Sequence, residues 1–199
     1  MLIFGASGHA KVVIESLISQ SIRIDGIFDD DETKTKLLSY DIIGKYDRNF
    51  KSSEPIVVAI GNNEIRKEIV KNIYHKFGIV IHQSCLLSKS ARIEEGTVIF
   101  QNTVIQPDVQ IGRHCIINTS SSVDHDCILG DFVHVAPNSV LCGGVEIGNN
   151  TLVGAGATIL PNIKIGANVI IGGGSIISKD IPENSIVYPV RSIINDRNK

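Results

Sequence analysis

His125 is the residue of this chain best suited to proton chemistry. It sits in the run Asn118-Thr119-Ser120-Ser121-Ser122-Val123-Asp124-His125-Asp126-Cys127. A neutral imidazole removes protons near pH 7, and it needs a second group to fix its tautomer. Asp126 or Asp124 can supply that group. A second polar constellation lies near the N-terminus. Gly5-Ala6-Ser7-Gly8-His9-Ala10 follows the apolar Leu2–Phe4, Asp29-Asp30-Asp31 follows another apolar stretch, and Gly61-Asn62-Asn63 follows Pro55–Ile60. A glycine turn at a helix N-terminus presents free N–H groups to an anion. The spacing GASGHA is not the full G-x-G-x-x-G, so it is a weak dinucleotide signal. The six histidines also include His75, His82 and His114, which read as structural or solvent-facing.

The elements that must position these residues are set by a six-residue period. From Ile81 to Ile177 every sixth residue is aliphatic, seventeen in all, and four residues after each comes a small or β-branched side chain. Neither the 3.6-residue helical turn nor strand alternation has this period. A parallel β-helix of short strands does, with two inward positions per side and a turn at each corner. Three hexads make a coil of 18 residues, so seventeen give five to six coils. Gly143 then lies one coil beyond His125, where its N–H is a candidate oxyanion donor. Asn118 is followed at the same spacing by Ala136, Gly154 and Gly172, which predicts a lane along the prism almost free of side chains.

Residues 1–78 read as a small open α/β domain with a Rossmann-like parallel sheet. Strands are predicted at Leu2–Phe4, Arg23–Phe28 and Pro55–Ile60, with a shorter one around Ile42–Ile43. Helices are predicted from His9 to Ser19 and from Glu64 to Phe77, the second capped by Asn62 or Asn63. Ligands of such sheets sit beyond the carboxyl ends of the strands, which here gathers Gly5, Ser7, Gly8, His9, Asp29, Asp30, Gly61 and Asn62. Residues 79–181 form the β-helix, and 182–199 a cap that leaves it after Lys179. The α/β domain is expected to cover the other end of the prism, because prism ends expose unpaired strand edges.

Lys and Arg number 19 against 21 Asp and Glu, a net charge of −2. That balance gives no basic surplus for nucleic acid or a membrane surface. No apolar run reaches membrane-spanning length, and no charged segment with a cleavage site precedes the first strand. A cytoplasmic protein is expected. The four cysteines include no C-x-x-C pair. Cys85, Cys115 and Cys127 occupy small inward positions and read as buried reduced thiols, with no metal framework.

GASGHAKVV, VAIGNNEIRKEI and INTSSSVDHDCILGDFVHVAP, in this order before a hexapeptide prism, resemble the sugar acyltransferases of the sialic-acid O-acetyltransferase type. Within them the chain is most similar to acetyltransferases acting on nucleotide-linked 4-amino-4,6-dideoxy sugars, such as the bacillosamine-pathway enzyme. The resemblance runs from Leu2 to about Ile181. It implies a left-handed β-helix, acetyl-CoA as co-substrate, a nucleotide-sugar acceptor and a homotrimer with sites between subunits. It implies His125 as general base and Asp126 as its orienting acid, where the bacillosamine enzyme has Glu. It places Asn118 near the sugar, His134 at the acetyl carbonyl, and acetyl-CoA beside Gly143, Ala155 and Gly173. Arg191 matches a phosphate partner.

Two departures accompany it. Val187-Tyr188-Pro189-Val190-Arg191 stands in place of the family's V-G-V-P-A-[KR] segment. Asp126 is shorter than Glu, which predicts a longer or water-mediated bond to His125. The competing readings are O-acetylation of sialic acid or another sugar hydroxyl, and a non-catalytic trimeric scaffold. The pair Asp29-Asp30 favours a base-carrying acceptor over a free sialic acid, whose carboxylate it would repel. An intact His125, Asp126 and Asn118 argues against the scaffold.

Overall fold

A computed structural model describes residues 1–189. The N-terminal domain contains β1 (Leu2–Phe4), α1 (Gly8–Ser19), β2 (Gly26–Phe28), β3 (Lys36–Leu37), β4 (Tyr40–Gly44), β5 (Ile56–Val58) and α2 (Asn63–Val70). The sheet order is β3-β4-β2-β1-β5, parallel except for the β3–β4 pair. β1 lies between β2 and β5 and is buried on both faces. Its Ile3 packs with Ala10, Val13, Ile14 and Leu17 of α1. Leu2 and Phe4 point the other way, toward Phe28, Ile56 and Val58, as strand alternation requires.

Three predicted elements are shorter than expected, β5 among them, which spans Ile56–Val58 rather than Pro55–Ile60. β2 begins at Gly26 because Asp25 is committed to the chain terminus: its N–H donates to the Met1 carbonyl at 2.9 Å and its carboxylate pairs with the Met1 amino group at 2.6 Å. α2 ends at Val70 rather than near Phe77. The Asn72 amide donates to the Glu68 carbonyl at 3.1 Å, taking a carbonyl that the next helical turn would use, and Tyr74 N–H donates to the Tyr46 hydroxyl at 2.9 Å. Asn side chains compete with helical hydrogen bonds in this way. Phe77 then bridges in parallel to Ile56.

From Val80 onward the chain winds into a three-sided parallel β-helix of two-residue strands. Among the described residues the first face has seven strands, from Val80–Ile81 to Ile186–Val187. The second has six, from Leu86–Leu87 to Ile176–Ile177, and the third five, from Arg92–Ile93 to Lys164–Ile165. Partners are 18 residues apart, as in Ile116 with His134 and Ser122 with Val140. The predicted inward aliphatics from Ile99 to Ile177 form one continuous core. Inward hydroxyls are satisfied by corner carbonyls: Thr97 bonds Gly112 at 2.8 Å, Ser139 bonds Gly154 at 2.9 Å and Thr151 bonds Gly166 at 2.8 Å. All four cysteines are free thiols.

The corners from Gly96 to Gly174 each turn through one residue in the left-handed region. The series runs every sixth residue from Gly96 to Gly174 and includes His114, Asp126, Phe132, Asn150 and Asn168. Asn, Asp and Gly tolerate this conformation best, which explains their frequency three places after the inward aliphatic.

The ends of the prism differ from expectation. The tail does not leave after Lys179: Ile181 pairs with Ile165, and Ile186–Val187 pairs in parallel with Ile170–Ile171, a step of 16 residues. The α/β domain leans on a side of the prism rather than only on its end. The outward residues Val80, Val98 and Ile116 of the first face are buried in the same cluster as Ile3 and Ala10, while Leu86, in the first strand of the second face, stays exposed. No helix among the described residues is long and apolar enough to cross a membrane.

Candidate active site

His125 and Asp126 lie on the corner between the second and third faces. His125 Nδ1 is 2.7 Å from Asp126 Oδ2, so the contact is direct and the shorter side chain does not lengthen it. The left-handed conformation of Asp126 (φ 61°) belongs to the corner itself, so the repeat supplies the orienting carboxylate's backbone geometry. Asp124 turns back to accept from the His125 N–H at 2.8 Å. The hydrogen bond to Asp126, aided by the charge of Asp124, raises the imidazole pKa above its ordinary value. With Nδ1–H donated to Asp126, Nε2 carries the free lone pair. That atom faces Gly143: a Cβ added there would lie 2.7 Å from Nε2. Gly144 N–H donates to the His125 carbonyl at 2.9 Å, whereas the Gly143 N–H donates no backbone hydrogen bond among the described residues.

His134 lies elsewhere, on the first face, in the opening between the two domains. One coil is 18 residues, and His125 is nine residues before His134 and nine after Ile116, its neighbour in the ladder. His125 and His134 are therefore half a coil apart, on opposite sides of one prism. Asn118 sits with His134, its Nδ2 3.1 Å from His134 Nε2. His134 faces a cleft of about 190 Å³ lined by Gly61, Asn62, Asn63, Glu64, Asn150, Leu152, Asn168 and Ile170, and Asn118 reaches that cleft only through His134. Stepping one and two coils from His134 gives Leu152 and Ile170, so the period itself contained this wall of the cleft.

Burial is the main cause that pushes the His134 pKa down to about 3, and the charge of Arg66 adds to it, followed by His9. A bond to the Gly61 backbone works weakly the other way. His9 is similarly lowered to about 4, by burial and then Arg66. It packs edge-on against Phe100 at 5.2 Å, its Nε2 is buried without a partner, and Gly61 lies against its ring.

The other strand-end residues divide. Gly5 (φ +106°) has the carbonyl of Ala59 3.0 Å from where a Cβ would stand, so only glycine lets β1 and β5 end this close together. Ser7 occupies the α1 N-cap position without a side-chain capping bond. Gly8 has open space around its missing Cβ. Asn62 caps α2 by accepting from Ile65 N–H at 3.0 Å. Asp29 is buried and fully engaged: it accepts from Ala6 N–H at 2.6 Å, from Asp31 N–H at 2.9 Å and from Lys34 at 3.1 Å. It shapes the glycine turn through these bonds. Asp30 has no hydrogen-bond or ion-pair partner among the described residues, and it lines a cavity of about 150 Å³ with Phe4, Tyr46, Ile69, Asn72 and Ile73.

The expected lane above Asn118 is filled. Cβ atoms at Gly154 would strike the Ile171 carbonyl at 2.5 Å and the Gly173 nitrogen at 2.6 Å, so these small residues admit the next coil rather than a ligand. Open space lies one corner position on, where Gly156 and Gly174 have nothing within 4 Å of a Cβ; Ala155 and Gly173 sit beside them, with 3.0 Å from the Ala155 carbonyl to a Cβ at Gly173. Arg191 lies outside the described residues. Arg66 was missed in the sequence, where it is one of seven arginines in the chain and sits on a short helix.

Comparison with known proteins matches residues 1–73 to the PglD N-terminal domain, and residues 90–125, 126–161 and 144–179 to the bacterial transferase hexapeptide (six repeats). Perosamine N-acetyltransferase from Caulobacter crescentus, solved in complex with CoA and GDP-perosamine, is 35% identical over 93% of this chain and 91% of its own, with a TM-score of 0.89. The acetyltransferase domain of PglB from Neisseria gonorrhoeae is 33% identical over 93% of this chain and 94% of its own, with a TM-score of 0.86. That domain has also been solved with acetyl coenzyme A. A protein of Acanthamoeba polyphaga mimivirus, L142, is 38% identical over 95 residues, 47% of this chain. The chain thus spans only 18% of the length of that curated relative.

Proposed function

Since the chain belongs to the hexapeptide-repeat sugar acetyltransferases of the bacillosamine-pathway type, which take acetyl-CoA as co-substrate, we propose that it N-acetylates a nucleotide-linked 4-amino-4,6-dideoxy sugar. The observation that carries the mechanism is the 2.7 Å bond between His125 Nδ1 and Asp126, which leaves Nε2 basic and facing Gly143.

A sugar ammonium has no lone pair, so the acceptor reacts as the amine. The amine nitrogen attacks the thioester carbon; a C–N bond forms and the carbonyl oxygen becomes an oxyanion. The nitrogen, now cationic, gives its proton to His125 Nε2, while Asp126 holds the imidazolium that results. The unengaged Gly143 N–H is the oxyanion donor. Collapse of the intermediate breaks the C–S bond, and the CoA sulfur leaves with the pair and is protonated. A preorganised donor aimed at developing charge is worth more here than in water.

The half-coil separation of His125 from His134 supports a homotrimer in which His125 of one subunit meets the cleft of the next. Cyclic symmetry then gives three equal sites. Asp30 and its cavity support a nucleotide held on the α/β domain, with the sugar reaching the interdomain cleft. Incubation of the protein with acetyl-CoA and GDP-, UDP- or dTDP-linked 4-amino sugars tests the reading directly. Release of CoA thiol together with a product heavier by one acetyl group is expected. Hydrolysis of acetyl-CoA without acetylated sugar, across all three nucleotides, would reject it.

A further inference from the structure

Arg66 is 1% exposed, and among the described residues no carboxylate pairs with it. All five of its N–H groups are nevertheless used. Nε donates to the His114 carbonyl at 2.9 Å, Nη1 to the Ile60 and Gly61 carbonyls at 3.0 and 3.3 Å, and Nη2 to Asn63 Oδ1 and the Phe132 carbonyl at 2.9 and 3.1 Å. A guanidinium offers five donors in a fixed fork, and each meets a neutral oxygen here. Burying an unpaired charge is costly unless its donors are satisfied, so this arrangement asks for a purpose beyond packing.

The acceptors belong to both domains. His114 and Phe132 are corner residues of the prism one coil apart, both in the left-handed region, while Ile60 and Gly61 form the loop after β5. The next corner up, Asn150, is held by the same helical turn: Asn63 Nδ2 donates to its carbonyl at 3.3 Å, and its side chain bonds Glu64. The first turn of α2 therefore grips three successive corners of one prism edge. Gly61, on the same loop, forms the lip of the cleft opposite His134.

We propose that Arg66 is a positioning residue for acetyl transfer: its clamp across the domain junction sets the Gly61–Asn62 lip against His134 and so fixes the acceptor cleft. The proposal rests on reading that cleft as the acceptor site. It has a second, electrostatic consequence. The groups facing His134 are His9 from α1, Arg66 and Glu64 from α2, the Gly61 backbone, and Asn118 from the prism. Burial is the chief reason its imidazole stays neutral, and the Arg66 cation is the next. Removing that charge favours the imidazolium, so the His134 pKa must rise.

Arg66→Gln and Arg66→Lys separate geometry from charge. In Arg66→Gln, kcat/KM for the amino-sugar acceptor should fall at least about tenfold while the acetyl-CoA KM stays within about twofold. The His134 titration midpoint, read by NMR on labelled histidine, should move up. Arg66→Lys keeps the charge but not the fork. It should leave the midpoint near that of the wild type and recover only part of the acceptor kcat/KM. Folded Arg66→Gln with wild-type acceptor kinetics would overturn the proposal, as would lost activity with an unmoved midpoint. If Arg66→Gln does not fold, Arg66→Lys decides: a selective loss on the acceptor supports the clamp, and unchanged kinetics overturn it. Absence of acetylation on every amino sugar would instead remove the functional reading, and the His134 titration would still report on Arg66.

Discussion

Two histidines on opposite sides of the prism are pushed in opposite directions. His125 is exposed at a corner, bonded to one carboxylate and flanked by another, and its pKa is raised. His134 is enclosed between domains beside a buried arginine, and its pKa is lowered to about 3. Environments that separate the pKa values of like groups divide their roles. The raised imidazole suits proton removal. The lowered one remains neutral at any physiological pH, a fixed hydrogen-bonding group beside Asn118. Because they are half a coil apart, neither environment disturbs the other within a chain, and a neighbouring subunit can bring the two functions together.

The sharpest way to break this division is to remove the raised member. His125→Ala should lower kcat by about 10²–10⁴-fold, the usual contribution of a positioned general base, with oligomeric state and CoA binding unchanged. A variant within about twofold of wild-type kcat, with chemistry rate-limiting, would remove His125 from the mechanism.

The split between subunits is tested by mixing. His125→Ala and a His134→Ala, Asn118→Ala double variant should each be nearly inactive alone. Co-assembled in equal amounts, they should regain activity at about a quarter of the sites, because each site draws one side from each of two subunits around the ring. No recovery in verified mixed trimers would place both functions on one chain.

How much of this was legible in the sequence depends on the range of the interaction. The prism was, because a six-residue period is a local property repeated without a slip from Ile81 to Ile177. The pair His125–Asp126 was legible for the same reason: the residues are adjacent, and the corner geometry places them. The opposition of His125 and His134 was latent in the same arithmetic, since nine residues is half of a coil. Arg66 was not legible. Its five acceptors come from both domains, and four of them are backbone carbonyls, which carry no residue signature. The difference between Asp29 and Asp30 was equally hidden. Neighbouring carboxylates look alike until the Ala6 N–H and Lys34 are seen to occupy one of them. The early end of α2 depended on Asn72 and Tyr46, the latter distant in the chain.

A smaller effect sharpens the role of the carboxylate beside the base. Asp126→Asn keeps the left-handed corner, since Asn adopts that conformation as readily as Asp. Its amide oxygen still accepts the Nδ1 proton, but the negative charge is gone. We expect kcat to fall about tenfold, less than for His125→Ala, because the imidazole survives. The sign of the pH effect is fixed. The Asp126 hydrogen bond raises the His125 pKa, so losing the charge lowers it. The base then stays deprotonated to lower pH, and the acid limb of the kcat profile should move down. An acid limb that moves up, or stays in place, would show that it reports another group, such as the acceptor amine.

The smallest expected effect compares two adjacent aspartates. Asp29 holds the glycine turn through the Ala6 N–H and is tied to Lys34, whereas Asp30 has no such partner among the described residues and lines a cavity with Phe4, Tyr46 and Asn72. Removing Asp30 should therefore leave the fold alone and weaken only what occupies that cavity. Asp30→Ala is expected to raise the acceptor KM by about tenfold, equivalent to about 1.4 kcal/mol of lost binding. The kcat, the acetyl-CoA KM and the melting temperature should be unchanged. A group that binds substrate and transition state equally acts on KM alone. Asp29→Ala should do the reverse in kind, lowering the melting temperature, because the buried Ala6 N–H and the half-buried Asp31 N–H lose their acceptor. If instead Asp30→Ala melts early, or its acceptor KM is that of the wild type, then the nucleotide is held elsewhere, and the free carboxylate at the end of β2 is only a solvated turn.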